Sequence, residues 1–274
     1  MARRADPPGT GQLAVRCRAA LRDLPCRRCL TPTPPGRHRR CSNGLRLVRA
    51  RPAVDAGSVR QNGRYANRSC VAVPADVTTA DGAVTAVEAL PEVDILVNNL
   101  GIFGAQPAME ITDDDWRRYF EVNVLAAIRL TRAYLPGMRE RGWGRIQYIA
   151  SDSAVVIPTE MIHYGVSKTA LLAVSRGFAK EAAGSGVTVN SVIAGPTHTG
   201  GVEQFVRSLV GDDLPWDVAQ REFMLRHRPQ SLLRRLIEPA EIANLVVYLA
   251  SPLASATTGA AVRVDGGYVD AILP

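Results

Sequence analysis

The chain has 274 residues and a formal net charge of +7, from 33 basic and 26 acidic residues. This charge is unevenly divided. Residues 1–70 hold 16 Arg, three Asp and neither Lys nor Glu, a net charge of +13, which leaves −6 for residues 71–274. The larger part of the chain is therefore not basic, and the average charge does not indicate nucleic acid or a membrane as its partner.

The cysteines and the apolar runs exclude several further classes. All five cysteines lie at or before Cys70, so residues 71–274 can form neither a disulfide nor a thiolate metal site. No run of about 18 apolar residues predicts a transmembrane helix, and the N-terminus lacks the apolar core of a signal peptide. We therefore expect a cytoplasmic protein with no membrane partner and no bound metal.

Strands and helices alternate after residue 70, which predicts an α/β fold with a doubly wound parallel sheet. The predicted strands cover residues 71–73, 93–97, 145–150, 187–193 and 261–264. The predicted helices cover residues 78–90 and 161–183, and two more begin at Thr112 and at Glu238-Pro239. Asn98, Ser151 and Gly195 follow predicted strands, so we expect them at one edge of the sheet, where ligands of such folds bind.

One group of residues predicts acid–base chemistry. Tyr164 and Lys168 are four residues apart and share one face of a helix. From this spacing we expect the lysine charge to lower the pKa of the phenol, which could then exchange a proton with a carbonyl or an alcohol. The Ser151 hydroxyl, at the end of a neighbouring strand, can hold the reacting oxygen.

With these residues the chain resembles the short-chain dehydrogenase/reductase family over roughly residues 71–274. The likeness is carried by several motifs in the family's order: Asn98-Asn99-Leu100-Gly101, Asn123, Ser151, Tyr164 with Lys168, residues 190–199, and Asp265-Gly266-Gly267. The resemblance implies a Rossmann-like fold, and an enzyme that reduces a ketone or oxidises a secondary alcohol with NAD or NADP.

The resemblance also implies the roles of individual residues. The catalytic residues would be Ser151, Tyr164, Lys168 and Asn123, with Asn123 kinking its helix and holding a water for proton relay. The cofactor would be bound by Asp76, Asn98, Gly101, Tyr164, Lys168, Gly195, Thr197 and Thr199, of which Asp76 would contact the adenine. A homodimer or homotetramer is implied as well. Aromatic residues in the long connection after Thr199, including Phe205 and Phe223, favour an apolar substrate if they line its pocket.

The first 70 residues depart from the family pattern, because they contain no strand followed by a glycine-rich loop that would cradle the pyrophosphate. We therefore expect an incomplete or aberrant first βαβ unit. Three interpretations of this Arg-, Pro- and Cys-rich segment remain open. In the first interpretation it does not encode the family's native start, because of a frame error or a wrong start site. It could instead be an appended segment, disordered or not, or a small zinc or nucleic-acid module that uses Cys17, Cys26, Cys29 and Cys41.

Two functions follow from these alternatives. The first is the oxidoreductase described above. The second is a family-shaped protein that lacks the phosphate-binding loop, is catalytically impaired and acts only as a binding or oligomeric partner. Binding of nucleic acid through residues 1–70 is not expected, because Tyr65 is the one aromatic residue there that could stack on a base.

Overall fold

The computed structural model of the protein describes the strand Leu45–Leu47 and residues 71–272. The three interpretations of the N-terminal segment, including its cysteines and the missing glycine-rich loop, concern residues that lie largely outside this description. The part described is the part for which the sequence predicts a regular α/β fold.

The described strands form a short antiparallel pair and a parallel sheet. In the pair, β1 (Leu45–Leu47) lies beside β2 (Val71–Val73), with Leu45 opposite Val73. The parallel sheet has the order β3-β4-β5-β6, made of β3 (Ile95–Asn98), β4 (Gly144–Ser151), β5 (Val187–Ala194) and β6 (Ala261–Val264). β2 to β6 lie close to their predicted positions, whereas no strand is predicted at β1. Within the described part, β2 pairs with β1 and stands outside the parallel sheet, and the incomplete or aberrant first βαβ unit stays a prediction.

The helices of the described part are α1 (Ala80–Ala89), α2 (Asp113–Phe120), α3 (Ala126–Glu140), α4 (Ile162–Glu181), α5 (Gly200–Val210), α6 (Trp216–His227) and α7 (Pro239–Ala250). A π-helical turn, Glu121–Leu125, joins α2 to α3. The sequence predicts one long helix from Thr112, and the structure divides it at this turn.

Helix α2 begins where its sequence predicts. The Thr112 hydroxyl accepts a hydrogen bond from the Asp115 backbone N at 3.2 Å, and the Asp115 carboxylate accepts one from the Thr112 backbone N at 3.0 Å. This reciprocal pair satisfies two backbone donors that the first turn leaves free. The acidic first turn also suits the positive end of the helix dipole.

Helices cover both faces of the parallel sheet, so the doubly wound, Rossmann-like prediction is confirmed. On one face α3 and α4 pack on the strands and α1 packs on α3, around fully buried side chains that include Leu96, Met138, Ile146 and Leu171. On the other face α7 packs on β4, β5 and β6, around Ile149, Val192, Ile242 and Leu249. Burial on both faces extends along the whole of β4 and nearly the whole of β5, although these strands also carry polar residues such as Gln147 and Asn190.

A third, smaller apolar cluster forms in the long connection after β5. There α5 packs on α6 around Val206, Ala219, Phe223, Met224 and Leu236. No helix within residues 71–272 combines the length and the apolar character that crossing a bilayer requires.

Candidate active site

Parallel strands bring the predicted residues to one edge of the sheet. β3 ends at Asn98, β4 at Ser151 and β5 at Ala194, and the register pairs Ser151 with Ala194. The carboxyl ends of adjacent parallel strands form the usual ligand edge of this fold class. The convergence expected from the sequence is therefore confirmed.

Helix α4 presents Tyr164 and Lys168 towards this edge. The helix is seated closely because of Gly165, where an added Cβ would lie 2.9 Å from the carbonyl oxygen of Ser153 and 2.7 Å from a side-chain carbon of Ile157. Any side chain at position 165 would push α4 away from the turn after β4. Glycine at this position therefore keeps the tyrosine near the serine.

Tyr164 lies within hydrogen-bonding reach of Ser151. Burial raises the pKa of the Tyr164 phenol, and the hydrogen bond with Ser151 offsets only part of this effect. The expectation that Lys168 draws this pKa down is therefore wrong for this structure. The Nζ atom of Lys168 lies 5.8 Å from the centre of the tyrosine ring, and burial of the phenol prevails.

Lys168 is itself buried, with 6% of its surface exposed. Its Nζ atom donates a hydrogen bond to the carbonyl oxygen of Ile149 at 2.9 Å. Burial lowers the pKa of the ammonium from 10.5 to about 8. An ammonium has three hydrogens to donate, so the bond to Ile149 leaves donors for a ligand.

Asn123 lies in the π-helical turn between α2 and α3 and is 1% exposed. Its Oδ1 accepts a hydrogen bond from the Ile102 backbone N at 2.8 Å, and its Nδ2 donates to the Ile102 carbonyl oxygen at 3.1 Å and to the Ser167 hydroxyl at 2.9 Å. The side chain thus ties the loop after β3 to α4. These three bonds use both donor hydrogens of the Asn123 amide and one acceptor position of its oxygen. The water that Asn123 would hold for proton relay stays a prediction.

The turn after β3 lies close to this site. A Cβ at Gly101 would lie 3.2 Å from Nζ of Lys168 and 3.5 Å from Oδ1 of Asn123. Asn98 is 6% exposed, its Nδ2 donates to the Thr131 hydroxyl at 3.5 Å, and its Oδ1 is buried with no hydrogen-bond partner in the described part of the chain. A buried orphan acceptor beside a glycine cradle suits a bound polar ligand.

The end of β5 supplies another group of predicted cofactor residues. Gly195 touches the turn after β6, since a Cβ there would lie 2.7 Å from the Cα of Asp265. The Thr197 hydroxyl donates to the Gly195 carbonyl oxygen at 2.8 Å, and the Thr199 hydroxyl caps α5 by accepting from the Val202 backbone N at 3.2 Å. These contacts hold the segment beyond β5 in a fixed path.

The position of Asp76 does not show whether this predicted site residue contacts a cofactor. It is exposed at the start of α1, and its Oδ1 accepts from the hydroxyl and the backbone N of Thr78 at 2.7 and 3.1 Å. Contact with an adenine ring stays a prediction for this residue.

The structure places two buried titratable side chains near the serine that the sequence does not predict as site residues. Asp152, 3% exposed, accepts a hydrogen bond from the Ser151 hydroxyl at 2.8 Å. Arg228, at the end of α6 and 5% exposed, lies 3.6 Å from Glu160. An acid directly after the predicted serine was a usable signal, whereas nothing in the sequence links Arg228 to this place.

Aromatic rings extend from the tyrosine towards α5 and α6. The ring centres of Phe103 and Tyr164 are 6.1 Å apart, those of Phe103 and Phe205 are 6.0 Å apart, and those of Phe205 and Phe223 are 6.1 Å apart. We call Phe103, Phe205 and Phe223 the aromatic wall. Phe103 and Phe205 are partly exposed and place apolar surface next to the phenol that would meet a substrate, while Phe223 is buried and supports Phe205.

Comparison with known proteins shows which proteins this chain resembles. A family model described as Enoyl-(Acyl carrier protein) reductase matches residues 42–269. The chain is 48% identical over 198 residues to the uncharacterized oxidoreductase YvaG of Bacillus subtilis, a match that covers 72% of this chain and 75% of that protein.

Solved structures give the same result. L-sorbose reductase from Gluconobacter frateurii, complexed with NADPH and L-sorbose, superposes with a TM-score of 0.68 at 34% identity, covering 73% of this chain and 77% of that one. A short chain dehydrogenase/reductase family protein superposes with a TM-score of 0.62 at 33% identity, covering 72% and 76%. From its sequence match, its fold and the residues gathered at its strand ends, the chain belongs to the short-chain dehydrogenase/reductase family.

Proposed function

We propose that the chain is an NAD(P)-dependent oxidoreductase that interconverts a ketone and a secondary alcohol, with Tyr164 as the acid and base. The observation that carries this proposal is the meeting of Ser151, Tyr164 and Lys168 at the carboxyl ends of β3, β4 and β5. We assign the activity to residues 71–274. Oxidoreductase relatives that match over about three quarters of their length support an enzyme over the alternative of a binding partner without turnover.

The residues at the sheet edge fit the nicotinamide half of the cofactor. Lys168 has free donors for ribose hydroxyls, Asn98 has a buried free acceptor, and Gly101 leaves the space in front of the ammonium open. Gly195, Thr197 and Thr199 would border the nicotinamide and the phosphates, and Asp76 would meet the adenine. When bound, NAD(P) supplies or accepts the hydride.

At neutral pH the Tyr164 phenol is in the protonated form that ketone reduction requires. Because burial raises the pKa of Tyr164, the phenol keeps its proton there and can give it to a carbonyl oxygen. The Ser151 hydroxyl steadies the same oxygen. Lys168 contributes a positive charge whose field favours the oxyanion that develops on the substrate or the phenol.

We propose further that the substrate has an apolar portion that lies on the aromatic wall. Phe103 and Phe205 pack on each other and connect Tyr164 to the cluster of α5 and α6, so a substrate that lies along these rings would contact apolar surface beside the phenol. A sugar ketone such as L-sorbose, which a relative binds, is the contrasting case for the test.

The test is a fluorescence titration of the purified protein with NADH and NADPH, followed by turnover assays with an aryl alkyl ketone and with L-sorbose. Saturable binding and reduction of the aryl ketone support the proposal. Tyr164→Phe keeps the ring packing and removes the acid, so we expect cofactor binding to persist while kcat falls by roughly 10²–10⁴. Equal turnover in both proteins would contradict the role of Tyr164. A preference for L-sorbose would contradict the proposed apolar substrate, but it would leave the proposed oxidoreductase activity intact.

We also propose a homodimer or homotetramer formed through the long helices. Ala173 is an exposed small residue on α4 that would allow another copy to approach closely, whereas Ala126 and Ala127 of α3 are buried inside the subunit. Analytical ultracentrifugation of the wild type and of Ala173→Arg tests this, since a monomer in the wild type would contradict it.

A further inference from the structure

Three charged residues near Ser151 have no part in the chemistry described so far. Asp152 follows the serine directly, Glu160 lies in the turn before α4, and Arg228 lies at the end of α6. The Nη1 atom of Arg228 is 3.6 Å from Oε1 of Glu160. In residues 71–272 the structure shows no cation at ion-pair distance from Asp152, so the charge of Arg228 is balanced mainly by Glu160.

The two carboxyl oxygens of Asp152 have different surroundings. Oδ1 accepts hydrogen bonds from the Ser151 hydroxyl at 2.8 Å and from the Ser153 backbone N at 2.7 Å. Oδ2 is buried and has no hydrogen-bond partner within the described residues. An ionised carboxylate without a cation is costly at such a place. Burial accordingly raises the pKa of Asp152, while Arg228 and the hydrogen bonds offset part of the rise.

Ser151 has one hydroxyl proton and two neighbours that can accept it. One is Oδ1 of Asp152, and the other is the phenol oxygen of Tyr164. An ionised Asp152 is the stronger acceptor, so the serine proton then points at Asp152 and the serine can only accept from Tyr164. A neutral Asp152 can donate its own proton to the serine oxygen, which turns the serine proton towards Tyr164 and the substrate.

We propose that Asp152 is a positioning residue for the Ser151 proton, and that its neutral form frees this hydroxyl to donate to the carbonyl oxygen of the substrate. The inference rests on the function proposed above. During reduction the carbonyl oxygen then accepts a hydrogen bond from Ser151 while the O–H bond of Tyr164 breaks and the O–H bond of the alcohol forms. The carbonyl carbon receives the hydride, and Ser151 and Asp152 keep their protons.

The groups that face Asp152 set the pH at which it acts. They are Arg228 from α6, Glu160 from the turn before α4, Tyr164 from α4 and Tyr268 from the segment after β6. Arg228 favours the ionised form of Asp152, and Glu160 weakens that influence by pairing with Arg228. The charge of Arg228 at the end of α6 therefore influences the Ser151 proton through the ionisation of Asp152.

The first test is the pH profile of kcat for ketone reduction in the wild type and in Asp152→Asn. In the wild type we expect kcat to fall about 100-fold as Asp152 ionises with rising pH, the effect of losing one donor to the developing oxyanion. Asp152→Asn cannot ionise, so this fall disappears while KM changes little. The same fall in both proteins would overturn the proposal.

Two further variants show whether Asp152 acts through Ser151. In Ser151→Ala the change Asp152→Asn should alter the profile no further, and an equal effect with and without Ser151 would overturn the proposal. The control is Glu160→Gln, which leaves the Ser151–Asp152 bond intact and leaves Arg228 unpaired. It should move the fall to lower pH, whereas abolishing the fall would identify Glu160 as the ionising group and overturn the proposal.

A measurement without turnover separates this inference from the proposed function. Infrared difference spectra between the wild type and Asp152→Asn should contain the C=O stretch of a neutral carboxyl, which Ser151→Ala shifts and rising pH removes. A missing band near neutral pH overturns the role of Asp152 even if the enzyme reduces ketones. A band that behaves as described supports the positioning of Ser151 even if the search for a ketone substrate fails.

Discussion

The ammonium of Lys168 is hydrogen-bonded to the backbone carbonyl of Ile149, with 2.9 Å between Nζ and O. Ile149 lies within β4, shortly before Ser151, so this bond fixes α4 to the strand that carries the serine. The price of this arrangement is a buried positive charge, which makes the stability of the fold depend on pH.

The first prediction concerns that buried charge. Burial lowers the pKa of Lys168 from 10.5 to about 8, so between these values the unfolded chain binds more protons than the folded one. The stability of the fold therefore rises with pH across this window. Below about pH 8 the destabilisation caused by the buried Lys168 charge is fully present. It amounts to roughly 3 kcal/mol. Lys168→Met removes it and loses one hydrogen bond worth about 1 kcal/mol.

We accordingly expect Lys168→Met to unfold at a higher temperature than the wild type at pH 7, and to lose this advantage near pH 10.5. Thermal unfolding followed by circular dichroism at both pH values checks the prediction. Lys180→Met is the control, because that lysine is exposed. An equal difference between Lys168→Met and the wild type at the two pH values would contradict it.

The second prediction concerns Asn123. Asn123→Ala leaves the backbone N–H and C=O of Ile102 without their partner, and Ile102 is 9% exposed. We expect a loss of roughly 2–4 kcal/mol in the free energy of unfolding, together with a fall in kcat, because the loop after β3 is no longer tied to α4. Ser167→Ala removes one partner of Asn123 and should cost about 1 kcal/mol in urea unfolding. A larger loss in Ser167→Ala than in Asn123→Ala would refute this assignment.

The third prediction compares two glycines. At Gly195 a Cβ would lie 2.7 Å from the Cα and carbonyl oxygen of Asp265, whereas at Gly177, exposed in α4, nothing lies within 4 Å. Gly195→Ala should therefore destabilise the fold by about 1–3 kcal/mol and weaken cofactor binding. Gly177→Ala should stabilise it by about 0.5–1 kcal/mol. Denaturant unfolding measures the stability of both variants, and titration with NADPH measures their affinity for the cofactor. An unchanged affinity in Gly195→Ala would argue against a contact between Gly195 and the cofactor.

The fourth prediction concerns the aromatic wall. Phe205→Ala removes the ring that links Phe103 to Phe223, so KM for an aryl alkyl ketone should rise about tenfold or more, the effect of losing 1–3 kcal/mol of apolar contact. The KM for a small polar ketone should change less, and kcat should change little because the ring holds no proton. Steady-state kinetics with both substrates test this, with Phe205→Leu as the milder variant. Equal changes for the two substrates would count against the wall as a substrate surface.

Much of the fold follows from the sequence because its cause is local. β3 follows from the apolar run at residues 93–97 and from the turn residues at 98–101 that end it. The Thr112 cap and the Pro239 helix start depend on short-range hydrogen bonds and on proline geometry. Once strand ends are known, the shared edge of a parallel sheet brings Asn98, Ser151 and Gly195 together without further information.

The remainder depends on contacts between distant parts of the chain. The Tyr164–Lys168 spacing shows a shared helix face, but it cannot show that the ammonium bonds to Ile149 or that burial governs the pKa of the phenol. Arg228 reaches the surroundings of Asp152 only through the path of α6. The resemblance implies a kink at Asn123, but the turn Glu121–Leu125 contains neither glycine nor proline, so the local sequence by itself does not mark the division between α2 and α3.

The π-helical turn also sets a limit on the length of the chain there. A π turn closes its hydrogen bonds over one residue more than an α-helix does, and each residue turns an α-helix by about 100°. Deleting one residue within Glu121–Leu125 would give a straighter helix, yet it would swing α2 around α3 and carry Asn123 away from Ile102. Natural variation between these two helices should therefore consist of substitutions, while insertions and deletions collect in the exposed loops.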